Sequence, residues 1–246
     1  MSDQTAVAPT AVSPPAPTFD AFASAYDVAL HAGLSVTGES KDYFARGRAD
    51  WLRHRLSELG VQPAAVLDFG CGTGSSVPYL LRLPGCRRVH GTDVSQESLA
   101  VARRTHGSAG VTFGTPDEPV SERFDLAFCN GVFHHIAPAD RARALTTVWR
   151  ALRPGALFAF WENNPWNPGT RYVMSRIPFD RDAITLSPRE ARTLLRHSGF
   201  DVLRTDFLFF FPAFLRWLRP LESLVSAVPL GGQYLVLARK PATDMS

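Results

Sequence analysis

The chain is poor in cysteine: three residues, Cys71, Cys86 and Cys129, in a sequence of 246. The number is odd, and none stands in a C-x-x-C pair or beside clustered histidines. Neither a disulfide framework nor a zinc site is suggested; no metal is expected, and a reducing cytoplasm is the expected compartment. Also missing is any run of about 18 apolar residues that would span a bilayer. The most apolar stretch, DFLFFFPAFLRWLRPLESLV at 206–225, is broken by two prolines and several charges, so no stable membrane insertion is expected. The opening MSDQTAVAPTAVSPPAPT lacks the basic start and apolar run of a signal peptide. The net charge of +3 is carried almost wholly by scattered arginines. Without a basic stripe, nucleic acid is not an expected partner. The 45% hydrophobic and 20% charged composition is that of an ordinary soluble globular protein.

What remains reads as one α/β domain with decorations. Residues 1–18, rich in Ala, Pro, Ser and Thr, are expected to be a disordered tail. Residues 19–60 show helical spacing, with Phe44, Trp51, Leu52, Leu56 and Leu59 recurring on one face and Gly60 as a stop. From 61 to 241 strands and helices alternate: AAVLDF, RRVHGTD, VTFGT, FDLAFCN and ALFAFWEN are strands, and SSVPYLLRLPG, SQESLAVARRTHG and PADRARALTTVWRALRPG are helices. Such alternation gives a parallel sheet covered on both faces, with binding at the carboxyl ends of its strands. Residues 163–186 and 212–230 are expected to be substrate-side insertions, the first of them loop-rich. SPREARTLLRHSGF is a helix capped by Ser187, and FDVLRTDFLFFF and QYLVLARK are the closing strands.

The segment VLDFGCGTG at 66–74 ends a buried strand on a carboxylate and follows it with Gly70, Gly72 and Gly74. A dinucleotide fingerprint needs glycine at 75, where the chain has Ser75. A diphosphate would be repelled by Asp68. A ligand bearing an ammonium would be welcomed by it, while the glycines let backbone approach closely. The turn thus reads as a seat for an amino acid joined to a nucleoside. Asp93 closes the next strand about 25 residues on, near the distance at which an acid reaches ribose hydroxyls.

These residues resemble the class I S-adenosylmethionine (SAM)-dependent methyltransferases. VLDFGCGTG is similar to the family's first motif, GTDVS to its second, FDLAFCNGVFHHI to its fourth-strand motif and ALRPGALFAF to its fifth. The resemblance implies a Rossmann-like, doubly wound, seven-stranded and mostly parallel sheet. Its last strand, QYLVLARK, is antiparallel and inserted beside FDVLRTDFLFF, with helices on both faces and residues 19–60 as an N-terminal helical lid. It implies SAM as cofactor, S-adenosylhomocysteine as product and a small-molecule acceptor. It places Asp68, Gly70, Cys71, Gly72, Thr73 and Gly74 around the methionine part, Asp93 and Val94 at the ribose side, and Asn130 and Gly131 along the methionine arm. Thr115 and Pro116 stand where the family often has an acid for adenine, with Asp117 next to them as a substitute.

Several residues carry two readings. His134 and His135 are candidate bases, or organisers of the loop after the fourth strand. Glu162 is a candidate base facing the acceptor; Asn163, Trp166, Tyr26 and His31 are candidate acceptor contacts. Tyr43 and Arg48 are candidates to hold the methionine arm; in the alternative, Phe44 and Trp51 are core anchors and the arginines of this stretch are solvated. In FLFFFPAFLRWL, Phe207, Phe209 and Phe211 are expected on a buried strand, and Leu215, Leu218, Leu221 and Leu224 in a packed helix; an acceptor channel is the alternative. The acceptor atom is open among oxygen, nitrogen and carbon. An arginine- and alanine-rich catalytic domain suits a tailoring enzyme of specialised metabolism. The rivals are a SAM-binding protein without turnover and an aminopropyl-type transferase on the same fold.

Overall fold

The computed structural model describes residues 37–118, 123–180 and 183–242. The tail at 1–18, Tyr26 and His31 lie outside the described residues.

Seven strands form one sheet: β1 (Ala65–Phe69), β2 (Arg88–Thr92), β3 (Val111–Gly114), β4 (Phe124–Asn130), β5 (Leu152–Asn163), β6 (Asp201–Leu208) and β7 (Gln233–Arg239). Their order is β3-β2-β1-β4-β5-β7-β6. Strands β1 to β5 pair in parallel, and β7 runs antiparallel to both β5 and β6. The chain builds outward from β1 to β3 and then returns to lay β4 against β1. That reversal is the switch point, where loops diverge and leave a crevice.

Side-chain alternation divides the sheet's two faces. On one face, Val66, Leu126, Phe128, Leu157, Ala159, Trp161, Leu235 and Leu237 pack with Leu52 and Leu56 of helix α1 (Lys41–Glu58), Val77 and Leu80 of α2 (Val77–Leu80), and Leu99 and Ala102 of α3 (Gln96–His106). On the other, Leu67, Phe69, Phe158, Phe160, Tyr234 and Val236 pack with Leu145 and Val148 of α4 (Arg141–Ala151). Helix α5 (Pro168–Arg176) follows β5, and α6 (Pro188–His197) adds Ala191 and Leu195 to this second core. Helix α6 begins with the expected capping box: the Ser187 hydroxyl accepts from Glu190 N, and Glu190 accepts from Ser187 N.

Four expectations change. The helix read in SSVPYLLRLPG is a single α turn, Val77–Leu80, because Pro84-Gly85 ends it early. The loop-rich stretch after β5 contains the nine-residue α5, started by Asn167, whose side chain accepts from Thr170 N. Of the lid expected at 19–60, residues 19–36 lie outside the described residues, and α1, within the described part, packs into the core instead of standing free of it. Leu52 and Leu56 are buried in the core, whereas Leu59 is exposed. Burying two leucines is worth about 1.5–3 kcal/mol each.

The largest change is in FLFFF. Strand β6 stops at Leu208, and Phe209 adopts φ 62°, a left-handed conformation rare outside glycine. The backbone N–H groups of Phe209, Phe210 and Phe211 all donate to the Glu222 carboxylate, at 3.2, 3.1 and 3.2 Å. These hydrogen bonds hold the chain out of the sheet and turn its rings towards α1. Gly47 makes room there, since a Cβ at that position would stand 2.7 Å from the Phe209 ring. Residues 213–221 then form a 3-10 segment, followed by the single turn α7 (Glu222–Val225), with Phe214, Trp217, Leu221 and Leu224 exposed. The packed leucine helix expected here is absent.

Helix α1 is tied to β6 by a buried polar knot. Asp206, 1% exposed, accepts from Trp51 Nε1 at 2.9 Å and from Arg55 Nε at 2.8 Å. Removing the carboxylate charge leaves the buried Arg55 guanidinium only the part-exposed Glu58 carboxylate, at 2.8 Å. Asp206→Asn is expected to lower the unfolding free energy by about 3 kcal/mol, read from urea denaturation. An unchanged midpoint would contradict this role for the knot.

Candidate active site

The glycine turn follows β1 directly. Gly70, Gly72 and Gly74 have φ of 72°, 53° and 80°, all in the left-handed region. A Cβ on Gly70 would stand 2.3 Å from Val132 Cγ2, which fixes β1 against the loop after β4. Around Gly72, by contrast, nothing lies within 4 Å of where a Cβ would be. The turn therefore presents bare backbone to open space. Asp93 holds it there: Oδ2 accepts from Gly72 N at 2.8 Å and Oδ1 from Ser95 N at 2.9 Å. Part of Asp93's capacity is thus spent on the turn itself, which the sequence reading had assigned to a ribose alone. Thr73 receives a long contact from Lys41 Nζ at 3.5 Å, Cys71 is buried, and Val94 is exposed.

Asp68 is 2% exposed, and its Oδ2 has no hydrogen-bond partner. Burial first, and the neighbouring Asp93 second, push its pKa up to about 7, with Arg48 opposing. Alternation puts Asp68 on the face of Val66, together with Asn130 on β4, Asn163 on β5 and Gln233 on β7. Arg48 reaches this row from α1. Its Nη1 donates to Gln233 Oε1 at 2.9 Å, and Gln233 Nε2 donates to Asn163 Oδ1 at 3.1 Å. Arg48 is 6% exposed, not a solvated charge.

Next to this row opens a cavity of about 470 Å³. Asn130, whose Oδ1 is buried without a partner, Gly131, Asn163 and Arg48 line it, as do Tyr43 and Phe44. Tyr43 meets Phe209 edge-on at 5.9 Å and carries the Arg219 guanidinium 4.4 Å from its ring centre. Burial pushes its hydroxyl up to about 12. Phe209, Phe210, Phe211 and Phe214 complete the apolar wall, so this stretch lines the cavity instead of continuing the buried strand beyond Leu208.

His134, His135 and Asp180 form the polar end of the cavity. His134 Nδ1 lies 2.6 Å from Glu162 Oε2, and Glu162 Oε1 accepts from Phe133 N at 2.7 Å. Burial pulls the His134 pKa down, but Glu162 and Asp180 outweigh it and hold the ring at about 10. His135 Nε2 is 3.3 Å from Asp180 Oδ1.

Three sequence expectations are corrected here. Glu162, 1% exposed, does not face the acceptor side. It lies on the Phe158–Phe160 face and spends both oxygens anchoring the histidine loop, so it positions rather than deprotonates. Trp166 is 43% exposed and absent from the cavity wall. The absence of a metal-ligand cluster does not survive folding, because Asp180, distant in sequence, joins the two histidines within 4.8 Å. Beyond β3, the Thr115 hydroxyl pairs at 3.2 Å with Glu118, not with Asp117; Pro116 lies between. Sequence reading missed Lys41, Asp180, Met174 and Gln233 on the cavity wall.

Residues 67–158 match the family of methyltransferase domains. An uncharacterized methyltransferase of Synechocystis is 32% identical over 157 residues, covering 61% of this chain and 73% of that protein. The chain belongs to the class I SAM-dependent methyltransferases. The ubiquinone biosynthesis O-methyltransferase of a Methylobacterium strain is 28% identical to this methyltransferase over 208 residues, 77% of this chain and 79% of that one. The plantazolicin methyltransferase BamL, solved with a triazolic desmethylPZN analog and S-adenosylhomocysteine, shares the methyltransferase's fold. The TM-score is 0.60 at 16% identity, over 89% of this chain and 96% of that one. Among the described residues no helix is long and apolar enough to cross a membrane.

The Asp68 environment gives a pH signature for the ligand-free methyltransferase. Its folded pKa of about 7 lies well above the ordinary aspartate value of about 3.9. The carboxyl's contribution to stability is therefore full below about pH 4 and lost as pH rises through 7. Asp68→Asn removes that dependence. The stability difference between variant and wild type, from urea unfolding, is expected to move by about 2–3 kcal/mol in the variant's favour between pH 5 and pH 8. A constant difference would show that Asp68 is not a buried, unpartnered acid.

Proposed function

We propose that this SAM-dependent methyltransferase acts on an oxygen of a small, largely apolar acceptor, held in the cavity between α1, the 209–214 segment and the histidine loop. The observation that carries this reading is the cavity's polarity. Phe44, Phe209, Phe210, Phe211 and Phe214 form an apolar wall, and His134, His135 and Asp180 make a polar end beside Asn130 and Asn163; Glu39, Lys41, Tyr43 and Arg48 line the cavity elsewhere. A pocket of that kind selects a greasy body with one polar head. The names of several relatives agree, being O-methyltransferases of ubiquinone biosynthesis and of fatty acids. A role in specialised metabolism is in keeping with such an acceptor.

The residues fit the cofactor on structural grounds. A buried carboxylate oxygen without a partner at Asp68, beside open backbone at Gly72, is what an aminoacyl nucleoside requires. In this reading Asp68 accepts from the ammonium and Arg48 faces the carboxylate. The turn from Gly70 to Gly74, with Cys71 and Thr73, lies along the methionine part. Asp93 and Val94 serve the ribose side, Thr115, Pro116 and Glu118 the adenine end, and Asn130 and Gly131 the junction with the cavity. Tyr43 and Phe44 close it from above. SAM supplies an electrophilic methyl on a sulfonium, open to in-line displacement. The chain's part is positioning and an acceptor for the hydroxyl's proton. His135 with Asp180 stands at the polar end for that task, and Glu162 holds the loop.

Methyl-labelled SAM and a panel of apolar alcohols, phenols, carboxylic acids and amines test the reading, with products identified by mass spectrometry. O-methylated products are expected, with kcat about 100-fold lower in His135→Ala and S-adenosylhomocysteine affinity unchanged. Transfer only to amines or carbon would overturn it. Gly72→Ala is expected to fold yet bind S-adenosylhomocysteine at least ~10-fold more weakly, since its methyl occupies the open space. Equal affinity would remove the turn from the cofactor seat.

A further inference from the structure

We propose that His134, His135 and Asp180 form a binding site for a divalent transition-metal ion at the acceptor end of the cavity. The proposal rests on the reading of that cavity as the acceptor site.

Geometry carries it. His134 Nε2 and His135 Nε2 stand 3.5 and 3.3 Å from one carboxylate oxygen, Asp180 Oδ1, and the three ligand atoms lie within 4.8 Å of one another. Those separations exceed the 2.7–3.2 Å of a good N–H···O bond. They match the roughly 3.0–3.5 Å between ligands that share an ion at about 2.0–2.2 Å. The rings stand side by side, 4.1 Å between centres, so both Nε2 atoms converge on one point instead of diverging.

The surroundings complete the site. Glu162 Oε2, 2.6 Å from His134 Nδ1, holds the hydrogen on that nitrogen, so the ion would bind at Nε2 and release to solvent the proton that Nε2 otherwise shares with Asp180. A carboxylate behind a ligating histidine is the usual second partner of a metal site. Two buried acids, Glu162 and Asp180, face two imidazoles here, and a dication neutralises both. Two nitrogens and one oxygen favour zinc, manganese, iron or cobalt over magnesium or calcium. Three protein ligands leave coordination positions open. These face the cavity, where an acceptor hydroxyl would complete the ion's shell and be made more acidic by it; with the ion bound, His135 Nε2 is a ligand and the hydroxyl's proton passes to solvent instead.

The test uses full-length protein without a histidine tag, dialysed against chelator and titrated with Co²⁺. One equivalent is expected to bind with a visible ligand-field spectrum, to be displaced by Zn²⁺, and to weaken about 100-fold in both His135→Ala and Asp180→Asn. Glu162→Gln is expected to weaken it about 10- to 100-fold. His54→Ala removes the surface pair with Glu58, the obvious adventitious site, and should change nothing. S-adenosylhomocysteine is titrated into every protein as a check on folding. Cofactor binding without a cobalt spectrum, or cobalt binding indifferent to Asp180→Asn, overturns the metal site and leaves the methyltransferase reading standing. Failure of the wild type to bind S-adenosylhomocysteine would instead strike that earlier reading.

Discussion

A carboxylate buried without a partner is an unstable thing to build a fold around, and Asp68 is one. Its neighbours on β1 are fully buried, the sheet pairs on both sides of it, and Asp93 adds a second negative charge nearby. Among the described residues, only the field of Arg48 opposes the rise in its pKa. Such a group persists because the surrounding structure over-determines its position: β2 and β4 hold the strand, Asp93 holds the turn, and Val132 blocks any retreat of Gly70. The site's other parts depend on that rigidity. In the proposed reading a cationic ammonium relieves this buried charge, so that the destabilised acid and the cofactor seat would be one feature.

Period-two alternation in the sheet distributes the chemistry. One face receives Asp68, Asn130, Asn163 and Gln233, and α1 closes it with Arg48. The opposite face receives Glu162, which reaches around the end of β5 to fix Phe133 and His134. The Asp68 row and the histidine loop are thereby served by different faces of the same strands, and Asn130 and Gly131 line the cavity between them. The aromatic wall needs a further device. Glu222 gathers three successive N–H groups so that β6 can release Phe209 to Phe211 over the cavity.

Much of this was legible in the sequence, and the parts that were not share a physical cause. The glycine spacing, the acids at the ends of β1 and β2 and the capping box of α6 are local signals, each confined to a few residues, whereas the sheet layout was implied by the family resemblance. Glu162 was misread because ALFAFWEN is apolar on both faces. A buried strand gives no alternation by which to tell which side its last polar residue takes. The departure of Phe209 from β6 was invisible because it is enforced by Glu222, well downstream, and not by a local turn residue. Asp180 joins the histidines only through tertiary packing of the α5 region, so no spacing rule in the sequence announces it. The exposed 213–225 segment was read as core from its composition alone, although apolar residues say nothing of what covers them.

The central claim is that Asp68 is a strained acid relieved by the cofactor's ammonium. It is tested most directly by calorimetric titration of S-adenosylhomocysteine at pH 6.5 in two buffers of different ionisation enthalpy. At that pH the ligand's amine is already charged, and Asp68, with its pKa near 7, is largely protonated. Binding is expected to release a substantial fraction of one proton to the buffer, and Asp68→Asn to abolish the release. Binding with no net proton release by the wild type would contradict the account, because the acid would then not be where the ammonium lands.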